Sequence, residues 1–452
     1  MTKLSVIQTI RFTDMKLHEY QNRMIDFCKV TDKAILSVGM GLGKTASVLH
    51  YIEKAKPKSV LIVAPKRVAE TVWKQEAEKW NLQHLSERLV IVAGSKSKRQ
   101  NLIQSSDYLI IGRDNLSDVA GMAFDLLVMD ELTSFKNHAS NRTDAICSIK
   151  ANKRIGLTGT FLTNGAIDCY GQFCAVGLGE PMTKKERISK FYRWRATHFQ
   201  DLLSGSGLQF HKWKLVTPLE QLLKNVKGNI FTLDSRDWLE IPEVQYFEHY
   251  VELTEHEMDE YLKLNTMLNC TLDDEIVSFN ENQKFAKLQT LADGFVYVND
   301  TVQRSEYSTK LDEVCEFVDR CCGEGEQVLL FYAFREEKAW LEEKLKALHL
   351  KFCDVKDKNF MRKWNDGEVD VLLAHPASAG HGLNLQQGGR ICVWSTITYD
   401  FEFWSQANAR LARQGQTRGV QIHTFMAKNT VEKQKYLALN KKEKIADEFI
   451  QL

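Results

Sequence analysis

Short apolar runs recur along the first half of the chain and are separated by polar stretches. They occupy residues 59–65, 89–94, 107–112, 124–131 and 154–160. Runs this apolar are typical of strands covered on both faces, as in a parallel sheet with crossover helices. Residues 17–28 instead place apolar side chains at helical spacing and predict a helix. The first half is therefore predicted to be an α/β domain built on a parallel sheet.

The same pattern returns in the second half. Strand-like runs occupy residues 327–334, 370–375, 390–395 and 420–427. The pattern loosens around residues 234–242, and a polar, mostly helical stretch is predicted from there to about residue 307. We therefore predict two domains, residues 1–235 and 236–452, a division that the length of 452 residues also favours.

Composition excludes some classes of protein and leaves others open. Hydrophobic residues make up 44% and charged residues 26%, as in ordinary globular proteins. A net charge of +1 gives no global sign of a polyanionic partner, so a nucleic-acid groove would need local charge placement. The ten cysteines include no C-x₂-C pair, and we expect reduced thiols rather than a zinc site. No apolar span predicts export or membrane insertion, so a cytoplasmic protein is expected.

A glycine-rich turn follows the apolar run 34–38 and precedes a predicted helix. Its sequence, residues 38–45, is VGMGLGKT. A strand, such a turn and a helix point backbone N–H groups and a positive helix end at one spot, which suits a polyphosphate. Lys44 would reach the β- and γ-phosphates and the Thr45 hydroxyl would hold Mg²⁺. The alternative is a glycine-rich connection that binds nothing. The predicted nucleotide contacts here are Gly39, Met40, Gly41, Leu42, Gly43, Lys44 and Thr45.

Polar residues that end the neighbouring runs are the next candidates. Asp130 would hold Mg²⁺ through its water shell, and Glu131 would orient and deprotonate the attacking water. The alternative is a surface acidic pair, but the preceding apolar residues 126–129 favour a buried strand end. Thr158 and Thr160 close the next run, where they would relay the state of the γ-phosphate. Gln21, in the first helix, could contact an adenine edge, although such a residue is more often solvated.

Two further segments carry concentrated positive charge. Residues 181–228 interleave basic and aromatic side chains, which either stack on bases or form an amphipathic helix that buries its aromatics. Residues 406–416, QANARLARQGQ, place Gln406, Arg410 and Arg413 three or four residues apart. On a helix these three side chains would share one face and match phosphate oxygens. The alternative for this segment is a solvated basic face.

Together the motifs resemble those of the Swi/Snf-type group of superfamily-two helicases and DNA translocases. The resemblance extends from residue 17 to about residue 433. It rests on segments 17–27, 40–45, 61–80, 128–137, 157–164, 379–385 and 406–416. The chain departs from the family pattern at Val38-Gly39, Leu132-Thr133, Phe161, Ala412 and Gln414, where the family has an acidic pair, Ala-His, proline, histidine and isoleucine.

The resemblance implies a fold and a set of site residues. It implies two tandem RecA-like α/β domains with parallel sheets, and ATP and Mg²⁺ in a cleft between them. The catalytic residues would be Lys44, Glu131, Arg410 and Arg413. Asp130, Gly382, Gln406 and Gln21 would join the phosphate loop in contacting the nucleotide and its metal. The nucleic-acid backbone would be contacted by Lys66, Arg67, Arg113, Thr160 and Ser378.

The resemblance also implies an activity. We expect a nucleic-acid-stimulated ATP hydrolase that translocates on duplex DNA, in a bacterial or phage-infected host cytosol. Single-stranded DNA or RNA is a less favoured partner, and an additional protein partner is left open. One alternative is a strand-separating DNA or RNA helicase, which an inserted wedge would favour and for which we find no such insertion. The other is an ATP-sensing clamp that binds DNA or a protein with little turnover.

Overall fold

The fold is described from a computed structural model. The residues described are 16–163, 165–179, 182–202, 213–267, 281–298, 301–379 and 383–451. The chain forms two compact units. Unit 1 comprises residues 1–238 together with 445–452, and unit 2 comprises residues 239–444. The boundary predicted from the sequence, at residues 235 and 236, lies three residues before this one, and the prediction assigned residues 445–452 to the second domain.

Unit 1 is built on a parallel sheet of seven strands. The described strands of unit 1, of which all but β7 and β8 belong to this sheet, are β1 (Lys33–Val38), β2 (Val60–Ala64), β3 (Val90–Val92), β4 (Tyr108–Gly112), β5 (Ala123–Asp130), β6 (Lys150–Thr158), β7 (Phe199–Asp201), β8 (Trp213–Leu215) and β9 (Ile230–Leu233). The sheet has the order β3-β4-β2-β5-β6-β1-β9, and every pairing in it is parallel. Strands β7 and β8 form a separate antiparallel pair. All five predicted runs of the first half are strands of the parallel sheet.

Helices connect these strands and cover the sheet. In the described part of unit 1 they are α1 (Glu19–Val30), α2 (Lys44–Ala55), α3 (Lys66–Lys79), α4 (Gln83–Arg88), α5 (Lys96–Ser105), α6 (Asn141–Ser148), α7 (Cys169–Val176), α8 (Lys184–His198) and α9 (Leu219–Leu223). Strand residues such as Ile35, Leu127 and Met129 are fully buried in one large apolar cluster. Because both faces of the central strands are covered, those strands are apolar throughout instead of alternating.

Unit 2 repeats this plan with a parallel sheet of six strands. Its described strands are β10 (Val244–Val251), β11 (Phe295–Val298), β12 (Thr301–Arg304), β13 (Val328–Phe331), β14 (Phe352–Asp354), β15 (Val371–Ala374), β16 (Ile391–Trp394) and β17 (Val420–Ala427). The order of the parallel sheet is β10-β17-β16-β13-β15-β14. Its helices are α10 (Glu255–Met267), α11 (Glu281–Ala292), α12 (Thr309–Gly323), α13 (Arg335–Ala347), α14 (Phe360–Asn365), α15 (Pro376–Ala379), α16 (Phe401–Asn408) and α17 (Val431–Gln451), the last of which ends among the residues grouped with unit 1.

The prediction of two parallel-sheet α/β domains is confirmed, and the stretch after the boundary holds strands in addition to the helices α10 and α11. The stretch from residue 236 to 307, predicted to be mostly helical, contains the eight-residue strand β10 and the hairpin of β11 and β12. Among the described strands, β10 pairs with β17 alone and forms the edge of the sheet, and most of its side chains are exposed. An edge strand therefore lacks the continuous apolar run that identified the central strands.

None of the helices in the part of the chain that the structure describes is both long enough and apolar enough to cross a membrane.

Candidate functional site

The glycine-rich turn joins β1 to α2 as predicted, and two of its glycines adopt left-handed backbone conformations. Gly41 has a φ of 83° and Gly43 a φ of 70°, conformations that side chains other than glycine rarely accept. Helix α2 begins at Lys44 immediately after the turn. The free N–H groups of its first turn and its positive end therefore face the turn, as a polyphosphate requires.

Gly39 has a further steric reason to lack a side chain. A Cβ built on Gly39 would lie 2.7 Å from the backbone nitrogen of Ser235. The Gly39 N–H also donates to the Leu233 carbonyl at the end of β9, at 2.8 Å. The turn is thus packed against the segment that follows β9. This packing leaves no room for a larger side chain at position 39.

Lys44 is folded back over the turn. Its Nζ donates to the carbonyl oxygens of Val38, at 2.7 Å, and Gly39, at 3.2 Å. The motif that closes β6 is adjacent, since a Cβ built on Gly159 would lie 4.0 Å from Lys44 Nζ and 3.4 Å from the Met40 side chain. Strands β1 and β6 are neighbours with Ser37 opposite Thr158, so the sheet brings the two motifs together.

Gln21 lies against the phosphate loop and is not solvated. Only 4% of its surface is exposed, and a Cβ built on Gly43 would clash with its side-chain nitrogen. The Gln21 side-chain oxygen accepts the backbone N–H of His18, at 2.8 Å, which caps helix α1. The amide is therefore fixed from one side and faces the loop with the other. Its predicted contact with adenine stays a prediction.

Asp130 ends β5 and is held by a tryptophan. Trp73, fully buried in α3, donates its indole N–H to Asp130 Oδ2 at 2.9 Å. Burial raises the pKa of Asp130, and the Trp73 hydrogen bond and the positive charge of Lys44 oppose that shift. A backbone hydrogen bond from Glu131 to the carboxylate acts in the same direction as the indole bond. An oxygen ligand fixed in this way can position a hydrated cation.

Glu131 follows with an uncommon backbone conformation. Its φ of 57° and ψ of 68° are left-handed, which costs a residue other than glycine roughly 1–3 kcal/mol. It precedes a short 3₁₀ turn, Leu132–Phe135, and its carbonyl accepts the Ser134 N–H at 2.9 Å. Leu132 and Phe135 are completely buried and anchor this turn. Strain of this kind is typical of functional positions, and the roles assigned to Asp130 and Glu131 stay predictions.

Three of the predicted nucleic-acid contacts follow the carboxyl ends of two neighbouring strands of the unit 1 sheet. Lys66 and Arg67 are exposed at the start of α3, directly after β2, and Arg113 follows the neighbouring strand β4. A Cβ built on Gly112 would lie 3.5 Å from Lys66 Cα, so the two strand ends touch. Arg113 donates from Nη1 to Ser134 Oγ at 2.6 Å, which also brings it to the turn after Glu131.

The other two predicted nucleic-acid contacts, Thr160 and Ser378, follow other elements of the fold. The Thr160 N–H donates to Thr158 Oγ1 at 3.1 Å, and its carbonyl accepts the same hydroxyl at 2.9 Å. Thr160 therefore lies in a tight turn beside Lys44 and Gly159. Ser378 belongs to α15 of unit 2, where it is half-buried.

The basic and aromatic segment around α8 is mainly a packing element. Phe191 is buried and stacks on His138 with ring centroids 3.6 Å apart, and Arg187 is buried against Asp144. Tyr192 remains 54% exposed. Burial lowers the pKa of His138 to about 4, so the stacked ring is neutral. The amphipathic alternative therefore describes Phe191. Residues 181 and 203–212 of the segment lie outside the described residues.

The proposed common helical face of the arginine motif is wrong. Helix α16 ends at Asn408, and Arg410 and Arg413 lie in the turns that follow. Asn408 is buried with its side-chain oxygen accepting the Trp394 indole N–H at 2.8 Å, and this contact accompanies the helix end. The two arginines nevertheless converge, because both donate to the Leu383 carbonyl, at 3.5 Å and 2.9 Å.

Arg413 and Gln406 of unit 2 lie in largely buried surroundings. Burial lowers the pKa of the Arg413 guanidinium, although it stays charged at neutral pH. Arg413 also donates to Asn384 Oδ1 at 3.0 Å. Gln406 is buried within α16, where its amide nitrogen donates to Glu402 at 3.4 Å. Gly382, the last predicted nucleotide contact, lies outside the described residues.

The assembled phosphate loop, strand-end acid pair and β6 motif can be compared with known families. A family model described as the SNF2-related domain matches residues 20–315, more than half of the chain. The chain belongs to the SNF2-related family. The Snf2-like interpretation of the motif order is thereby confirmed, and with it the assignment as an ATP hydrolase of the helicase type.

Relatives of different lengths share this family. Putative protein p41 of Acyrthosiphon pisum secondary endosymbiont phage 1 is 29% identical over 95% of this chain and 96% of the phage protein. An uncharacterized ATP-dependent helicase of Mycoplasma genitalium is 26% identical over 95% of this chain, which spans 42% of that relative. The Sulfolobus solfataricus SWI2/SNF2 ATPase core, solved in complex with dsDNA, aligns over 97% of this chain and 93% of its own with 21% identity and a TM-score of 0.43.

Sequence reasoning missed two residues that shape the SNF2-related site. Trp73 and Asp130 are 57 residues apart, and a buried tryptophan at helical spacing is ordinarily a core residue. Ser134 stands in the segment 128–137 that carries the resemblance, but no local pattern links it to Arg113. Only the sheet order, which places β4 and β5 on either side of β2, brings these groups together.

Proposed function

We propose that this SNF2-related protein couples ATP hydrolysis to translocation along duplex DNA, and that nucleic acid stimulates its turnover. The observation that carries the proposal is the convergence on one phosphate loop of Gln21, Lys44, Asp130 and the β6 motif. The phosphate loop of the first of the two RecA-like domains binds the ATP.

The loop and Lys44 bind the triphosphate. Backbone N–H groups at the start of α2 donate to phosphate oxygens, which the helix dipole also favours. Lys44 exchanges its bonds to the carbonyls of Val38 and Gly39 for charge-assisted bonds to the β- and γ-phosphates. Gln21, fixed by its bond to the His18 N–H, presents the rest of its amide to the adenine edge.

The residues around Asp130 fit Mg²⁺. The carboxylate of Asp130 and the hydroxyl of Thr45 are the hard oxygen donors that Mg²⁺ prefers. Trp73 occupies one carboxylate oxygen and fixes the orientation of the other, and Lys44 opposes protonation of the buried acid. Bound there, Mg²⁺ would neutralise charge on the phosphate oxygens. Holding the hydrated ion is the task of Asp130 and Thr45.

Glu131 and the two arginines complete the chemistry. The Glu131 carboxylate orients the attacking water and accepts its proton. Arg410 and Arg413 of unit 2 stabilise negative charge on the transferred phosphoryl group, and Gln406 and Gly382 contact the nucleotide. Convergence of both guanidinium groups on the Leu383 carbonyl supports a shared task for them.

Duplex DNA is bound through its backbone. Lys66, Arg67 and Arg113 at the edge of β2 and β4, together with Thr160 and Ser378, contact phosphates. Such contacts position a protein without determining sequence specificity. Neutralising several phosphates releases counterions, so binding weakens steeply as salt concentration rises.

Steady-state ATP turnover with three nucleic acids tests the proposal. Duplex DNA, single-stranded DNA and RNA of equal length are compared at two salt concentrations, alongside an unwinding assay. Duplex DNA is expected to stimulate most, irrespective of base sequence, and to lose its effect at the higher salt. Preference for single strands with efficient unwinding would instead indicate a strand-separating helicase. Binding of ATP and DNA without turnover would indicate a clamp.

A further inference from the structure

Helix α8 presents a basic face to solvent. Arg187 and Phe191 are buried and hold the helix against the rest of unit 1. With about 3.6 residues per turn, the opposite face is formed by Lys185, Tyr192 and Arg193, and all three side chains are exposed. Within the part of the chain that the structure describes, neither Lys185 nor Arg193 forms an ion pair. The fold therefore does not neutralise the positive charge of this face.

Two more basic side chains flank the exposed face, and one acid lies on it. Lys190 is exposed, and the guanidinium carbon of Arg195 lies 3.9 Å from the centroid of the Trp213 ring. Stacking on an aromatic ring orients a guanidinium, whose N–H groups point outward in its plane. The acid, Glu186, is engaged in capping the helix, because its Oε2 accepts the N–H and the hydroxyl of Thr183, both at 2.8 Å. The face therefore carries an excess of positive charge.

Contacts within unit 1 connect α8 with the end of β4, where the predicted DNA contact Arg113 lies. Asp114, the next residue, accepts from Arg142 Nη2 at 2.8 Å. Asn141 precedes Arg142 in α6, and its side-chain oxygen accepts from Lys184 Nζ at 2.7 Å. The first turn of α8 therefore lies beside the first turn of α6, which lies beside the segment that follows β4. The basic face begins close to the strand ends at which duplex DNA is proposed to bind.

The length of the basic face suits a nucleic-acid backbone. From Lys185 to Arg195 it extends about 15 Å along the helix axis. One strand of duplex DNA carries a phosphate about every 3.4 Å along the duplex axis. The face therefore matches the axial rise of about four phosphates of one strand. The exposed hydroxyl of Tyr192 belongs to a side chain that also donates to phosphate oxygens in protein–DNA complexes.

We propose that the exposed face of α8 is a second binding surface for the phosphate backbone of duplex DNA, with Lys185, Arg193 and Arg195 as its contacting cations. The surface continues the group of phosphate contacts at the ends of β2 and β4. The inference rests on the proposed function, because it takes duplex DNA as the ligand. It adds a surface outside the motifs that carry the family resemblance, and it lengthens the segment of duplex that unit 1 holds.

Equilibrium binding of duplex DNA to the full chain without ATP, measured over an about fourfold range of salt concentration, tests the inference. A double variant, Lys185→Gln with Arg193→Gln, removes two exposed cations and leaves the buried face of α8 intact. Each lost phosphate contact reduces the slope of log K against log salt by about 0.9, so the wild type is expected to lose about 12-fold more affinity than the variant over this range. Basal ATP turnover and the KM for ATP are expected to stay unchanged.

The matched control is a double variant, Lys54→Gln with Lys58→Gln. Both lysines are exposed, and they lie in the last turn of α2 and just before β2, at the amino ends of the strands. The control has the same net charge as the α8 variant and is expected to keep the wild-type slope. A wild-type slope in the α8 variant, or an equal change in the control, would overturn the inference. Duplex binding by the wild type without stimulated turnover would instead contradict the proposed function, while the slopes would still decide the role of α8.

Discussion

Replacing Trp73 by phenylalanine isolates one contact of the ATP site. The substitution removes the indole N–H that donates to Asp130 Oδ2 at 2.9 Å. A hydrogen bond to a charged group contributes about 1.5–3 kcal/mol. This bond favours the ionised carboxylate, whereas burial raises the pKa of Asp130. Its loss therefore raises that pKa further.

The assay is the pH dependence of kcat/KM for ATP, which reports groups of the free enzyme. Turnover that needs ionised Asp130 is lost as pH falls through its pKa, so the acidic limb of the Trp73→Phe profile is expected at higher pH. Comparison with wild type cancels the titration of ATP itself. An acidic limb that does not move, in a folded Trp73→Phe protein, would refute the assigned role of the bond.

The matched control for Trp73→Phe is Trp364→Phe. Trp364 is also fully buried, and its indole N–H donates to the Leu385 carbonyl at 2.8 Å in unit 2. Both substitutions leave a similar cavity and remove one indole bond, so both lower thermal stability. Only Trp73→Phe is expected to displace the acidic limb.

Three substitutions test the assigned roles individually. Lys44→Ala is expected to abolish turnover while hardly changing the melting temperature without nucleotide, because Lys44 Nζ donates to carbonyls of the loop itself, at 2.7 Å and 3.2 Å. Wild-type turnover would contradict the phosphate-loop assignment. Glu131→Gln is expected to bind ATP and Mg²⁺ yet lose on the order of 10²–10⁴ in turnover, and failure to bind nucleotide would show that the roles of the acid pair are wrongly divided. Arg413→Ala is expected to lower kcat by a factor on the order of 10³ with far less change in nucleotide affinity. Normal turnover by the fragment that ends near Asp234, which lacks Arg413, would refute a site that needs residues of both units.

The central strands and the phosphate loop were predictable because their signals are local. A continuous apolar run identifies a strand covered on both faces, and the glycines and Lys44 lie within eight consecutive residues. The edge strand β10 lacks that signal because it is paired along one side, with β17, and most of its side chains are exposed. The arginine motif had helical spacing, but the helix ends at Asn408, whose buried side-chain oxygen accepts the Trp394 indole N–H, a contact that the spacing does not indicate.

Contacts between distant segments could not be predicted from the sequence. Phe161 stands where the family motif has proline, and the structure gives it a partner in Phe449, with ring centroids 5.0 Å apart. Both rings are at least 97% buried within unit 1. The bond of Arg113 to Ser134 and that of Trp73 to Asp130 likewise depend on strand order, which no local pattern specifies.

Displacement of a third DNA strand from a duplex tests the central claim most directly. A triplex-forming strand is bound to duplex DNA, and its release is followed over time with ATP for the wild type and for Glu131→Gln. Translocation on duplex DNA predicts ATP-dependent release by the wild type, none by the variant, and no separation of the underlying duplex. ATP turnover stimulated by duplex DNA without release of the third strand would contradict translocation.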